Sequence, residues 1–179
     1  MGDLITARLR LVPFKLTIVE AAMKGNAELG RVLGVKVLPD WPDEEFSQGL
    51  PEIAEILSKS PLQREWGWGS LVIQQAENLL IGYVMVKIIP DIPDPAGAPT
   101  GALEIGYQIV PSYRRQGYGS EATKAILDWT LRQPSVQKVT AGCYADNIAS
   151  KRLLEKIGMQ HTETRAKGTV LVWELSRSS

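Results

Sequence analysis

The stretch SYRRQGYGSEA, residues 112–122, sets two arginines and two closely spaced glycines directly ahead of a helical pattern. That order of residue types suits an anion. The first turn of a helix offers unpaired backbone N–H groups and the positive end of the macrodipole. Gly117 and Gly119 remove the Cβ that would hold a phosphate off the backbone. Arg114 and Arg115 can add charge-assisted hydrogen bonds. A solvated basic turn without a ligand accounts for the same residues. Gly117–Ala122 also fits G-x-G-x-x-A, but dinucleotide binding requires an acid about 20 positions on, at the end of the next strand. Val136-Gln137-Lys138 stand there instead. A P-loop is excluded, because no Lys-Ser/Thr pair follows the second glycine.

The elements that must position this turn are readable around it. Residues 102–110 alternate as a strand and Pro111 stops it. Residues 120–131 carry Ala122, Ala125, Ile126 and Trp129 at helical spacing, and Pro134 blocks continuation. Residues 138–144 form a further strand. Residues 147–157 form a helix with Asn147 as N-cap, an apolar stripe of Ala149, Leu153, Leu154 and Ile157, and Gly158 as its stop. Upstream lie a strand over 6–14, three short helices between 15 and 60, strands over 66–74 and 80–89, and a Pro/Gly-rich loop over 91–101. Downstream, strands near 159–165 and 168–175 form a hairpin about Lys167-Gly168. The order β-α-α-α-β-β-β-α-β-α-β-β predicts an α/β protein with one mixed sheet.

The 179 residues are ordinary in composition, 44% hydrophobic and 22% charged. Twenty basic and twenty acidic residues give a net charge of zero, so no global field favours nucleic acid or an anionic membrane. Cys143 is the single cysteine, which forbids an intrachain disulfide and suits a reducing compartment. With one cysteine and one histidine, His161, no zinc site built on those ligands can form. The longest apolar run, LLIGYVMVKII, is too short to span a bilayer and holds Lys87. The expectation is a soluble cytoplasmic protein without metal, nucleic-acid partner or membrane.

Three motifs together carry a resemblance. Arg114-x-x-Gly117-x-Gly119 after a strand resembles the acyl-CoA pyrophosphate loop of the GNAT superfamily of N-acetyltransferases. Asn147-x-x-Ser150-x-x-x-Leu154-x-Lys156-x-Gly158-Met159 is similar to that superfamily's cofactor-facing helix. Thr6-x-Arg8-Leu9-x-Leu11-x-Pro13 resembles the first strand of the branch that acetylates ribosomal-protein N-termini (alanine/serine). The resemblance spans nearly the whole chain. It implies a single domain over 1–179, with a motif core over 66–175. The implied fold is a mostly antiparallel twisted sheet of about seven strands flanked by helices. It further implies acetyl-CoA as co-substrate, with pantetheine inserted between the strands over 102–110 and 138–144.

On that resemblance the backbone at Ile109 and Val110 bonds the pantetheine amides. Arg114, Arg115, Gln116, Gly117, Tyr118, Gly119 and Ser120 hold the pyrophosphate. Asn147 and Ser150 lie near the thiol end or the pantetheine; for Asn147 a plain N-cap is a sufficient alternative. Lys151 and Arg152 reach a nucleotide phosphate or are solvated helix residues.

Acyl transfer to an amine needs a base, because a protonated amine cannot attack. Glu104 is the candidate: a carboxylate between Leu103 and Ile105, on one strand face with Gly106 and Gln108. A rim carboxylate bonded to a neighbour is the alternative. Many similar proteins protonate the leaving thiolate with a tyrosine where this chain has Leu154. The resemblance offers Ser150 instead, with Tyr144 a less specific candidate; Ser150 could also merely cap backbone N–H groups. Cys143 reads as a small strand residue. Asp40, Asp43, Glu44 and Glu45 could attract a cationic amine, or serve as the acidic first turn of a helix. Trp41, Trp66 and Trp68 could wall an acceptor pocket or pack the core, and the 91–101 loop could rim it. The acceptor stays open between a protein or peptide N-terminus and a small aminoglycoside- or polyamine-like amine. A non-catalytic acyl-CoA sensor stays open too. Oligomeric state is not readable from the residues, and the resemblance allows a homodimer.

Overall fold

The computed structural model describes residues 1–88 and 103–177. The expected rim loop over 91–101 lies outside the described residues. One sheet organises the rest. Its strands are β1 (Leu4–Ile5), β2 (Leu9–Pro13), β3 (Lys36–Val37), β4 (Ser70–Gln74), β5 (Leu79–Ile88), β6 (Leu103–Ile109), β7 (Lys138–Tyr144), β8 (Gln160–Arg165) and β9 (Val170–Ser176). The spatial order is β1-β2-β4-β5-β6-β7-β9-β8, with β3 beside β5. Among the described residues only β3–β5 and β6–β7 are parallel. The mostly antiparallel sheet is as expected. Nine strands form among the described residues, roughly the expected number of about seven; the two-residue strands β1 and β3, which carry no readable period, make up the difference.

Six α-helices flank the sheet among the described residues: α1 (Leu16–Met23), α2 (Asn26–Leu33), α3 (Glu44–Lys59), α4 (Pro61–Trp66), α5 (Tyr118–Leu131) and α6 (Ile148–Lys156). α3 follows from an acidic first turn capped by Asp43, which accepts from the Phe46 N–H at 2.8 Å. Its buried stripe is Phe46, Leu50, Ile53 and Leu57. α4 was not foreseen. Ser60 caps it, Pro61 opens it, and Gly67 at φ 83° ends it, so Trp66 closes a helix instead of starting a strand. The expected first strand also divides: Thr6 accepts from the Leu9 N–H at 3.0 Å and turns the chain between β1 and β2.

The core is continuous across the sheet, from Leu9, Leu11 and Phe14 through Ile73, Leu80 and Ile105 to Ile126, Leu127 and Leu154. α5 packs on one face, against β2, β5, β6 and β7. α3 covers the other, where Phe46 stacks on Tyr83 of β5 at 4.1 Å. Two features tie β6 to β5. Their antiparallel register is unbroken from Ile88↔Leu103 to Gly82↔Ile109. At Gly82 a Cβ would stand 2.1 Å from the Gln108 carbonyl oxygen, so only glycine permits the approach.

Candidate active site

β6 and β7 are partners for a short distance only. Their parallel ladder covers Leu103↔Val139, Glu104↔Thr140 and Ile105↔Ala141, while β6 runs on to Ile109 and β7 to Tyr144. Each strand stays paired to its other neighbour along that length. A fork therefore opens beyond Ile105 and Ala141. Val110 donates its N–H to the Ile81 carbonyl at 2.9 Å and accepts the Tyr113 N–H at 3.0 Å. Backbone groups alternate sides along a strand, so Ile109 and Tyr107 turn theirs into the fork. There the Ile109 carbonyl accepts from Arg114 Nε at 2.7 Å. Of the two residues expected to bond pantetheine, Val110 thus has both backbone groups engaged within the protein. Tyr107 joins Ile109 as the residue facing the gap.

The anion-suited turn sits at the open end of this fork. Pro111–Tyr113 form one 3-10 turn, Arg115 takes φ 59°, and Gly117 takes φ 83° as the N-cap of α5. No backbone N–H from Arg115 to Ser120 has a partner among the described residues. The helix thus begins at Tyr118, two residues earlier than its apolar spacing indicated, and its first-turn donors stand beside those of the turn. Arg114, Arg115 and Gln116 are exposed, Tyr118 is buried, and Ser120 is half-buried. At Gly119 a Cβ would come within 3.1 Å of Leu153 Cδ1, so glycine also lets α5 approach α6.

On one face of the fork stands Glu104. Its register partners are Lys87 on β5 and Thr140 on β7. Its Oε1 lies 3.9 Å from where a Cβ would project at Gly142, so the missing side chain there leaves the carboxylate open across β7. The opposite face carries Tyr107, whose hydroxyl donates to the Ser150 carbonyl at 3.4 Å, a long and weak bond. Burial pushes the Tyr107 phenol above its ordinary value; the neighbouring Ser150 side chain opposes that rise and Cys143 adds to it.

Asn147 caps α6, its Oδ1 accepting the Ser150 N–H at 3.0 Å. Ser150 is therefore the capped residue, not the cap. Leu154, at the position of the usual tyrosine, is fully buried in the core. Lys151 reaches back to the Ala145 carbonyl at 3.4 Å, and Arg152 is exposed. Cys143 is buried, and Tyr144 is 67% exposed on the rim.

A cavity of about 270 Å³ adjoins the turn, lined by Asp40, Trp41, Asp43, Gly82, Tyr83, Gln108, Val110, Pro111 and Arg114. The Tyr83 hydroxyl donates to Gln108 Oε1 at 2.8 Å. Burial, then the charges of Asp43 and Glu45, push that phenol far above its ordinary value, so it stays a donor. Of the acidic cluster, Asp40 and Asp43 line the cavity, whereas Glu44 and Glu45 do not. Of the three tryptophans only Trp41 does. Trp66 is buried edge-to-face against Trp129 at 5.1 Å, and Trp68 is buried as well.

Of the expected site residues, the fold brings together Glu104, Ile109, the 114–120 turn and Ser150. It adds Tyr107, which sequence reasoning missed because an aromatic in an alternating strand reads as core. Among the described residues no three His, Cys, Asp or Glu side chains cluster as metal ligands, and no helix is long and apolar enough to cross a membrane.

Known proteins are similar to this chain in sequence and fold. The chain is 32% identical over 169 residues to the uncharacterized N-acetyltransferase YjdG of Bacillus subtilis, covering 93% of this chain and 96% of that one. Its fold matches the ribosomal-protein-S5-alanine acetyltransferase of Vibrio fischeri at a TM-score of 0.62 and 15% identity, covering 98% and 96% of the two chains. It also matches a ribosomal L7/L12 alpha-N-protein acetyltransferase solved in complex with coenzyme A, at a TM-score of 0.59 and 17% identity, covering 97% and 96%. Residues 8–160 match the family of the acetyltransferase (GNAT) domain. With the fork, the glycine turn and the capped α6 in one sheet, and a family match over most of its length, the chain belongs to the GNAT acetyltransferases.

Proposed function

We propose that the protein uses acetyl-CoA to acetylate a primary amine, with the thioester seated at the base of the β6–β7 fork. The observation that carries this reading is the row of N–H groups from Arg115 to Ser120 without a partner among the described residues, at the mouth of a gap walled by strand backbone. That row fits a pyrophosphate, and the gap facing Tyr107 and Ile109 suits the amides of pantetheine. Bound acetyl-CoA supplies an activated acyl carbon. The protein's own residues do the rest.

Glu104 takes the amine proton, directly or through one water, from the face where Gly142 leaves room. A base is needed for any amine with a pKa near ~8 or above at neutral pH. On the opposite face the hydroxyls of Tyr107 and Ser150 are the donors available to the sulfur, a role Leu154 cannot fill, with Tyr107 giving up its long bond to the Ser150 carbonyl to do so. The proton that Glu104 takes passes to solvent and the sulfur takes one from solvent; the two hydroxyls only donate hydrogen bonds to the departing sulfur, so neither ends the reaction ionised. The acceptor enters past the 270 Å³ cavity, whose Asp40 and Asp43 favour a cation and whose size suits one residue or a small amine. The alanine- and L7/L12-specific names of structural neighbours favour a protein or peptide N-terminus over a small-molecule amine.

Calorimetric titration with acetyl-CoA and with NADPH, followed by acetyl transfer to a peptide and polyamine panel, tests the reading. Binding of acetyl-CoA alone with transfer to a peptide α-amine is expected. NADPH binding, or acetyl-CoA binding without transfer to any amine, would overturn it; the second result would leave a sensor.

A further inference from the structure

The first-strand motif meets the turn. Arg8, in the bend between β1 and β2, lies more than a hundred residues from the 114–120 turn in sequence and directly against it in space. Its Nε donates to Glu121 Oε2 at 2.7 Å, and its Nη1 donates to the Gln116 carbonyl at 2.8 Å. The guanidinium carbon lies 4.3 Å from the centre of the Tyr118 ring. Its Nη2 stands 3.3 Å from where a Cβ would project at Gly117. Glu121 is gripped from the same bend by the Thr6 hydroxyl at 2.6 Å and the Arg8 N–H at 2.9 Å.

We propose that Arg8 is a positioning residue of the pyrophosphate site, acting through Glu121 and the Gln116–Gly117 peptide. Two physical reasons carry this, and both rest on the acetyl-CoA reading above. First, Glu121 is a carboxylate in the first turn of α5, beside the N–H groups that face the anion. Unpaired, it competes for the helix's positive end and repels a phosphate; paired with Arg8 it is neutralised. Second, C=O and N–H point in opposite directions across a trans peptide. By holding the Gln116 carbonyl, Arg8 turns the Gly117 N–H away from itself and toward the open side of the turn. A flat fork of donors can do both at once, and a lysine cannot.

Coenzyme A titrations by calorimetry, with steady-state kinetics, test this on wild type and on Arg8→Ala, Arg8→Lys and Arg8→Ala/Glu121→Gln. Arg8→Ala should weaken coenzyme A binding and raise KM for acetyl-CoA roughly tenfold or more, the size of one lost charge-assisted bond. Its kcat should fall less than about twofold, since no reacting atom is touched. Adding Glu121→Gln should recover part of the affinity by removing the exposed charge, and Arg8→Lys should lie between. A role in folding alone would lower Tm in Arg8→Ala and leave affinity unchanged; that result would overturn the proposal, as would failure of Glu121→Gln to recover any binding. Should Arg8→Ala fail to fold, Arg8→Lys with unaltered coenzyme A affinity would overturn it equally. Absence of coenzyme A binding by wild type would instead remove the acetyl-CoA reading itself.

Discussion

In the proposed mechanism Glu104 and Tyr107 divide the chemistry because alternation along one strand sends them to opposite faces of the same fork. Glu104→Gln keeps the shape and loses the base, so kcat should fall about 10²–10⁴-fold and recover as pH rises and more acceptor is neutral. Coenzyme A affinity should stay unchanged, and kcat near the wild-type value at pH 7 would exclude Glu104. Tyr107→Phe keeps the aromatic and removes only the hydroxyl. We expect kcat to drop roughly tenfold with KM for acetyl-CoA nearly constant, and a further drop when Ser150→Ala is added, read by single-turnover kinetics. These two residues differed in legibility. A carboxylate between Leu103 and Ile105 advertises itself, because charge in an apolar strand needs a reason. Tyr107 is camouflaged: period-two alternation assigns it to the core side, and only its long bond to the Ser150 carbonyl shows that its hydroxyl reaches the site.

The fork is a property of three strands, not two. β6 can leave β7 only because β5 holds it along its full length, and at Gly82 only glycine admits the Gln108 carbonyl. Gly82→Ala would put a Cβ 2.1 Å from a backbone oxygen. We expect it to cost about 2–3 kcal/mol in urea unfolding, at the overpacked end of single-site effects. It should also weaken coenzyme A binding, as β6 shifts toward β7. Unfolding at the wild-type urea midpoint would mean that β5 and β6 separate at little expense. The sequence showed a glycine in a strand here but not its partner, since Gln108 lies 26 positions on. A gap between β6 and β7 was expected from the family resemblance. Its starting point was not, because nothing in the two strands' composition marks the residue at which pairing stops. The 114–120 turn was easier: arginines, glycines and a following helix are all local signals, and local signals survive folding unchanged.

At the scale of the molecule, the chain closes on itself at Glu121. The bend of residues 6–8 grips the first turn of α5, so the amino-terminal hairpin and the 114–120 turn are one mechanical unit. Sequence reading reached the β-strand and helix order of the carboxy-terminal half with little error, because strong periods and glycine or proline stops frame each element there. It was weaker between residues 15 and 69, where short helices depend on partners distant in sequence, and α4 hid behind a strand-like run of tryptophans. The hairpin's grip was equally hidden, since no local pattern links Thr6 and Arg8 to Glu121. It leaves a thermodynamic trace. Burial raises the Glu121 carboxyl, and hydrogen bonds from Thr6 and Arg8, with the Arg8 charge, outweigh it and hold the group below its ordinary value of 4.5. A carboxylate whose pKa is lowered by folding stabilises the fold above the unfolded-state value, and that stability is lost as pH falls through the folded value. Thermal melts of wild type and Glu121→Gln from pH 7 down to pH 3 should therefore show a constant gap in Tm above about pH 5, narrowing progressively below about pH 4.5. A gap that is absent at pH 7, or that does not narrow on acidification, would mean that the hairpin holds the turn by packing of Arg8 on Tyr118 and not by charge.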